Sequence, residues 1–254
     1  MRFATMAEPY LRLGWPVFPT SRDKRPLTTH GYKDATLDPK KVEEWSRRFP
    51  DANISVPTGQ ISGVIVIDID GHVGEETLYA LAENGLKIDT PLQVTTGRGR
   101  HLYFRDDRTM RNSASKVGPG IDIRANGGSI TVPPSIHQRG TTYEWTADPE
   151  TTPIPPVPMG LLLHIYNPRA KPSWGSVPTI SISEIVGRVK SAPPGLRNHE
   201  LNVAAYLAGK TVKSGQSTWE EAENSLLEAG LCIGLKLHEC RATVRSGLRA
   251  GQEN

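Results

Sequence analysis

The stretch Gly63–His72, GVIVIDIDGH, is the strongest constraint in the chain. Four aliphatic β-branched residues, Val64 to Ile67, run into Asp-Ile-Asp and then a glycine. A short apolar run of this kind reads as a buried strand. On a strand, side chains at i and i+2 share a face, roughly 6–7 Å apart. Asp68 and Asp70 therefore project together, while Ile69 continues the apolar face of Ile65 and Ile67. Two carboxylates that close repel and shift each other's protonation. A hard divalent cation relieves this, since Mg²⁺ takes few carboxylates and completes its shell with water and substrate phosphates. A solvated strand end before a glycine turn is the other reading of the same residues.

The rest of the chain bounds what this strand belongs to. With 254 residues and 37% hydrophobic content, one large domain, or one plus a small one, can bury a core. The net charge of +3 permits a nucleic-acid partner without requiring one. The two cysteines, Cys232 and Cys240, set up no disulfide framework and suit a reducing compartment. No apolar run approaches a membrane span, and MRFATMAEPY has no signal-peptide pattern. A cytoplasmic, soluble, monomeric protein without membrane contact is expected.

Organisation follows from punctuation. AEPYLRLG reads as a helix stopping at Gly14. LDPKKVEEWSRRFP reads as a helix capped by Asp38, with Pro39 in its first turn. NISVPTG and VIVIDID are strand-like, GEETLYALAENG is helical, and LQVTT, HLYFR, GIDIR, GSITV and TTYEW are strand-like. Asn126-Gly127-Gly128 predicts a hairpin turn between two of these. The expected class is α+β with a mixed or antiparallel sheet and flanking helices. An α+β domain is expected over 1–166, a Pro-rich linker over 167–180, and a helical bundle over 181–254. In that bundle Ser217 or Thr218 is the expected cap of the third helix and Gly230 its end.

Two further stretches carry chemistry. TTGRGRHLYF (95–104) is a basic loop punctuated by Gly97 and Gly99, which permit close backbone approach to a phosphate. Arg98 and Arg100 supply charge and His101 opens the following strand. GPGIDIRANGG adds Asp122 and Arg124 on one strand face, with Ile121 and Ile123 on the other. Residues 95–124 hold seven Lys/Arg against three acids, a local surplus that fits a phosphate-rich ligand.

The ordered set resembles the primase-polymerase family of the archaeo-eukaryotic primase superfamily, in the form found in phages, plasmids and integrated elements. GWPVFPT, KRPLTTHGYKDAT, DPKKVEEW, PDANISVPTG, VIVIDIDG, TTGRGRHLYF, GPGIDIRANGG, VPPSIH and YEW carry the resemblance across residues 5–147. The segment GLRNHELNVAAYLAG to GLKLHECRATVRSGLRAG is similar to helices that often follow such a domain. The resemblance implies that Asp68, Asp70 and Asp122 are metal ligands for Mg²⁺ or Mn²⁺ in a two-metal site. It implies that His101 contacts the incoming nucleotide, and that Lys24, Thr96, Gly97, Arg98 and Arg100 line its pocket. It implies a nucleotidyltransferase that primes and extends on single-stranded DNA from NTP or dNTP, with a replicative helicase in cis or in trans as a partner. Some relatives carry a zinc insertion; this chain has no cysteine before Cys232, and Cys232, His238 and Cys240 lack structural-zinc spacing, so no structural zinc is expected.

Arg241, Arg245 and Arg249 recur every four residues near the C-terminus, a one-faced basic stripe that suits template binding or plain solvation. Two rivals share parts of the pattern. VIVIDIDG also resembles the nucleophile motif of haloacid-dehalogenase phosphohydrolases, but His72 stands where that motif has Thr. A non-catalytic single-stranded-DNA-binding module would have no need of the three acids and His101.

Overall fold

In the computed structural model, which describes residues 2–105, 110–166 and 180–253, the Val-Ile-Val-Ile-Asp-Ile run forms an inner sheet strand. The chain divides into two units, Met1–Pro172 and Ser173–Asn254. The first begins with α1 (Phe3–Arg12), β1 (Phe18–Thr20), a 3-10 turn (Gly31–Asp34) and α2 (Pro39–Arg48). β2 (Asn53–Pro57), β3 (Val64–Ile69) and α3 (Gly71–Glu83) follow. Then come β4 (Gln93–Thr95), β5 (Arg100–Arg105), β6 (Ser113–Gly118), β7 (Ile121–Arg124), β8 (Ser129–Val132), β9 (Glu144–Trp145) and α4 (Met159–Tyr166). One sheet has the order β6-β7-β3-β5-β4-β9 and a smaller one β1-β2-β8; every pairing of named strands is antiparallel. This is the expected α+β class.

β3 has a core on each face. Ile65, Ile67 and Ile69 pack with Leu102 and Phe104 of β5, Ile121 and Ile123 of β7, Leu78 and Leu81 of α3 and Leu161 of α4. Val64 and Val66 join Trp15, Phe18, Ile54, Val132 and Tyr103. The acids at the end of the strand thus emerge from an apolar sandwich. α2 starts as its sequence dictates: the Asp38 carboxylate accepts from the Lys40 N–H at 2.9 Å, with Pro39 in the first turn.

Two expectations are corrected. Asn126-Gly127-Gly128 does form a turn, with the Gly128 N–H donating to the Ala125 carbonyl at 2.9 Å. It does not make a hairpin: β7 pairs with β3 and β6, whereas β8 pairs with β2. The turn instead carries the chain from one sheet to the other. Nor does Gly230 end its helix, which runs to Cys232. A Cβ at Gly230 would lie 2.8 Å from Cys240 Sγ, so the glycine serves helix packing. β6 and α4, absent from the sequence reading, complete the sheet edge and cover one core.

The second unit contains α5 (Ile182–Lys190), α6 (Arg197–Lys213), α7 (Trp219–Cys232) and α8 (Leu237–Glu253). Ser181 and Glu184 form a reciprocal capping box on α5, and Thr218 caps α7. α6 and α8 meet along glycines: a Cβ at Gly251 would stand 2.1 Å from the Tyr206 carbonyl oxygen, and one at Gly209 2.3 Å from that of Leu248. Cys240 is buried in this unit and Cys232 is exposed. Residues 167–179, where most of the linker is expected, lie outside the described residues. No helix among the described residues is long and apolar enough to cross a membrane.

Behind β5 lies a buried ion pair. Arg100 Nε stands 2.9 Å from Glu75 Oε1, its Nη2 donates to Glu75 Oε2 at 3.0 Å, and its Nη1 donates to Gln93 at 3.2 Å. Their side chains are 8% and 2% exposed, so removing one partner strands a desolvated charge. Glu75→Gln is expected to cost about 3–5 kcal/mol in urea denaturation, whereas Glu75→Leu with Arg100→Met recovers most of that loss.

Candidate active site

Register builds the site. Asp68 on β3 stands opposite His101 on β5 and, on its other side, opposite Asp122 on β7. Directly opposed residues in antiparallel strands share a face with Cβ atoms about 4.5–5.5 Å apart. One row across three strands therefore reads His101–Asp68–Asp122. His101 Nε2 lies 3.5 Å from Asp68 Oδ1. Arg124 Nη2 donates to Asp122 Oδ2 at 2.9 Å and reaches Asp68 Oδ2 at 3.3 Å. The other Asp122 oxygen accepts from the Ser115 N–H at 3.0 Å.

Asp70 takes up the junction between β3 and α3. Its backbone is extended, its N–H donates to the Gly120 carbonyl, and its side chain makes no helix cap. That carboxylate is 64% exposed, with Arg98 Nε 3.9 Å away. Its negative charge favours the protonated forms of both His101 and His137. The three acids offer hard oxygen ligands of the type Mg²⁺ and Mn²⁺ take. Among the described residues, however, no three His, Cys, Asp or Glu side chains converge closely enough to hold a metal ion as they stand. Arg124 lies between two of them.

The histidine is neutral by burial. His101 is 2% exposed, and desolvation pulls its pKa down to about 4 against the opposing charge of Asp68. Lys24 and Arg124 add to the downward shift. Around it, Nδ1 of His101 and the hydroxyls of Tyr103 and Tyr143 are buried without a hydrogen-bond partner among the described residues. Burial raises the Tyr143 pKa to about 12 and that of Tyr103 well above its usual value.

Lys24, Ser55, Asp68, His101, Arg124 and Thr131 line a pocket of about 210 Å³. Lys24 adopts a left-handed backbone, φ 65°. A chain of buried hydroxyls forms part of the wall: Thr20 and Ser55 are 2.9 Å apart, Ser55 and Thr131 3.3 Å. Nothing in the sequence reading singled these out, because a serine or threonine in an apolar strand resembles a tolerated substitution. His137 is likewise inconspicuous in the sequence. It is buried, its Nδ1 accepts from the Arg139 N–H, and burial together with Lys24, Arg139 and Arg98 lowers its pKa. Its VPPSIH segment carried the family resemblance but no role.

The basic loop departs from its expected use. Arg100 was expected in the nucleotide pocket; strand alternation turns it to the opposite face from His101, where Glu75 neutralises it. Gly97 and Gly99 each admit protein on the side where a side chain would stand. A Cβ at Gly99 would lie 1.9 Å from the Ile69 carbonyl oxygen, and one at Gly97 2.4 Å from Thr141 Oγ1 and 2.8 Å from the His137 ring. The Thr96 hydroxyl accepts from the Arg98 and Gly99 N–H groups at 3.2 and 2.9 Å, closing the β4–β5 turn on itself. Arg98 stays at the rim. Asp106, Asp107 and Arg108 of the same basic region lie outside the described residues.

Gly99→Ala must shift either β3 or the start of β5. It is expected to destabilise by about 1–3 kcal/mol in denaturant titration, the usual cost of overpacking.

The family model for the bifunctional DNA primase/polymerase N-terminal domain matches residues 7–159. No curated protein matches the chain. The matched segment spans more than half of the 254 residues and contains the whole His101–Asp68–Asp122 row, Asp70 and Lys24. The chain belongs to the bifunctional DNA primase/polymerase family.

Proposed function

We propose that this chain is a primase-polymerase of a phage, plasmid or integrated element, which makes and extends primers on single-stranded DNA. The observation that supports it most directly is the single row His101–Asp68–Asp122 beside a cationic pocket. The substrates are a primer 3′-hydroxyl, or that of a first nucleotide, and an incoming NTP or dNTP. The hydroxyl loses its proton to solvent, a bond forms between its oxygen and the α-phosphorus, the bond from that phosphorus to the α–β bridging oxygen breaks, and pyrophosphate leaves. Divalent ions held by Asp68, Asp70 and Asp122 would activate the attacking oxygen and stabilise the leaving group.

The protein's own residues bind and orient. Lys24, Arg98 and Arg139 set a positive potential around the two histidines, suited to a triphosphate. His101 sits at the end of the acid row, where it meets a phosphate oxygen of the incoming nucleotide. The hydroxyls of Ser55 and Thr131 offer donors and acceptors from the facing sheet. Arg100 supports the site from behind through Glu75.

The second unit supplies an added template grip in this reading. Arg241 and Arg249 are exposed on α8, and Arg245, also exposed, donates to Glu223 at 2.7 Å. Such a surface would hold single-stranded DNA during initiation, when no duplex is present to grip. A replicative helicase, in cis or in trans, is the partner that would expose that template.

Asp68→Asn and Asp122→Asn are each expected to reduce Mn²⁺-supported nucleotide incorporation at least about a thousandfold, the equivalent of several kcal/mol of lost transition-state stabilisation. Circular dichroism should remain native. Near-normal extension by either variant excludes the assignment. Replacing Arg241, Arg245 and Arg249 by Gln is expected to flatten the log–log salt dependence of single-stranded-DNA binding by about 0.7 per lost phosphate contact, while extension of an annealed primer persists. An unchanged slope assigns α8 to solvent.

A further inference from the structure

Arg124 stands where the proposed metal site needs room. It projects from β7 two residues after Asp122, so the two side chains share a face. Register pairs it with Val66, one diagonal step from Asp68. From there a single guanidinium nitrogen reaches both carboxylates, at 2.9 and 3.3 Å. All three side chains are only 20–33% exposed, so these charge-assisted bonds are shielded from solvent. Two opposed carboxylates would otherwise repel across the strands. Arg124 thus occupies the position, and performs the charge neutralisation, of a cation between Asp68 and Asp122.

A second observation concerns space. Arg124 also lines the pocket, whose volume of about 210 Å³ falls below the roughly 300–1,000 Å³ usual for ligand sites. A nucleoside triphosphate needs a larger space, and swinging one long side chain outward enlarges this one.

We infer that Arg124 is an internal counter-ion gate: it closes the Asp68–Asp122 pair in the metal-free protein and must be displaced for a divalent cation to bind there. This rests on the proposed reading of the two acids as metal ligands. Displacement couples two events. The guanidinium released from the carboxylates remains beside Lys24 and His101, where a triphosphate needs positive charge. Metal and guanidinium are competing ligands for one anionic pair, so weakening one strengthens the other.

The test is Mn²⁺ binding to the full chain without nucleotide, read from the electron paramagnetic resonance signal of free hexaaquo Mn²⁺. Arg124→Met is expected to bind Mn²⁺ about tenfold more tightly than the unaltered protein, within the usual range for coupling between competing ligands. Arg124→Gln serves as a second variant, and near-ultraviolet circular dichroism confirms that each is folded. Lys24→Met removes a positive charge from the same pocket without touching the acid pair, and so measures the general electrostatic effect. Unchanged or weaker Mn²⁺ binding by both Arg124 variants overturns the gate, as does tightening no greater than that of Lys24→Met. Asp68→Asn should abolish the tight site in the Arg124→Met background. If it does not, or if no protein binds Mn²⁺, the metal reading fails and the gate fails with it.

Discussion

The pairing of β3 with β5 and β7 fixes the row of Asp68, His101 and Asp122 around which the site is built. Side-chain direction on a strand has a period of two, so a slip of one residue would turn Asp68 into the isoleucine core and bring Ile67 or Ile69 to the pocket. Ile67 and Ile69 are essentially fully buried, and each contributes about 1.5–3 kcal/mol through that burial. The slip would forfeit much of this and also bury a carboxylate without its partner. Apolar packing on one face therefore sets polar geometry on the other. The acids need no hydrogen bond between themselves to be aligned; the isoleucines align them.

The same alternation sorts the cations. Consecutive residues of β5, Arg100 and His101, serve opposite faces: one closes a buried ion pair with α3, the other meets Asp68. Glu75 thereby ties the helix that follows Asp70 to the strand that carries His101. α3 is pinned again where Gly74 meets Gly120, since a Cβ at Gly74 would lie 2.4 Å from the Gly120 carbonyl oxygen. Asp70, just ahead of these two contacts and held by its own N–H to the Gly120 carbonyl, keeps an exposed carboxylate on a constrained backbone. Two acids are thus matched by a partly buried cation, while the third faces solvent with Arg98 at 3.9 Å.

The order of elements and the acidic strand were legible because period-two alternation and proline or glycine punctuation are local signals. Asp68, Asp70, His101 and Asp122 were selected by pattern, and the fold sets three of them in one row. What was not legible was non-local. Arg98 and Arg100 look equivalent in Gly-Arg-Gly-Arg, yet only the parity of β5 decides that Arg100 turns inward, and Glu75, its partner, lies twenty-five residues earlier. Gly97 and Gly99 advertise close approach without naming what approaches. Asn126-Gly127-Gly128 announces a turn, but whether the flanking strands pair is set by vacancies in two sheets. Ser55, Thr131 and His137 gain meaning only when the smaller sheet is placed beside β3.

The helical unit repeats this logic with a different period. On α8 the buried positions Cys240, Val244, Gly247, Leu248 and Gly251 form one face, and the glycines let the α6 backbone approach too closely for any rotation of α8 to be tolerated. Arg241, Arg245 and Arg249 follow one residue after Cys240, Val244 and Leu248, about 100° further around the helix. Their outward position is thus a consequence of the glycine seam. Arg245 is drawn partly back by Glu223 of α7, whose carboxyl is held below its ordinary range by hydrogen bonds from Arg245 and Trp219. The exposed Arg241 and Arg249 consequently flank a centre that Glu223 neutralises. Arg245 and Glu223 thus form an ion pair at the bundle surface, with the arginine side chain 60% exposed, so the stripe's middle cation is already partnered within the unit.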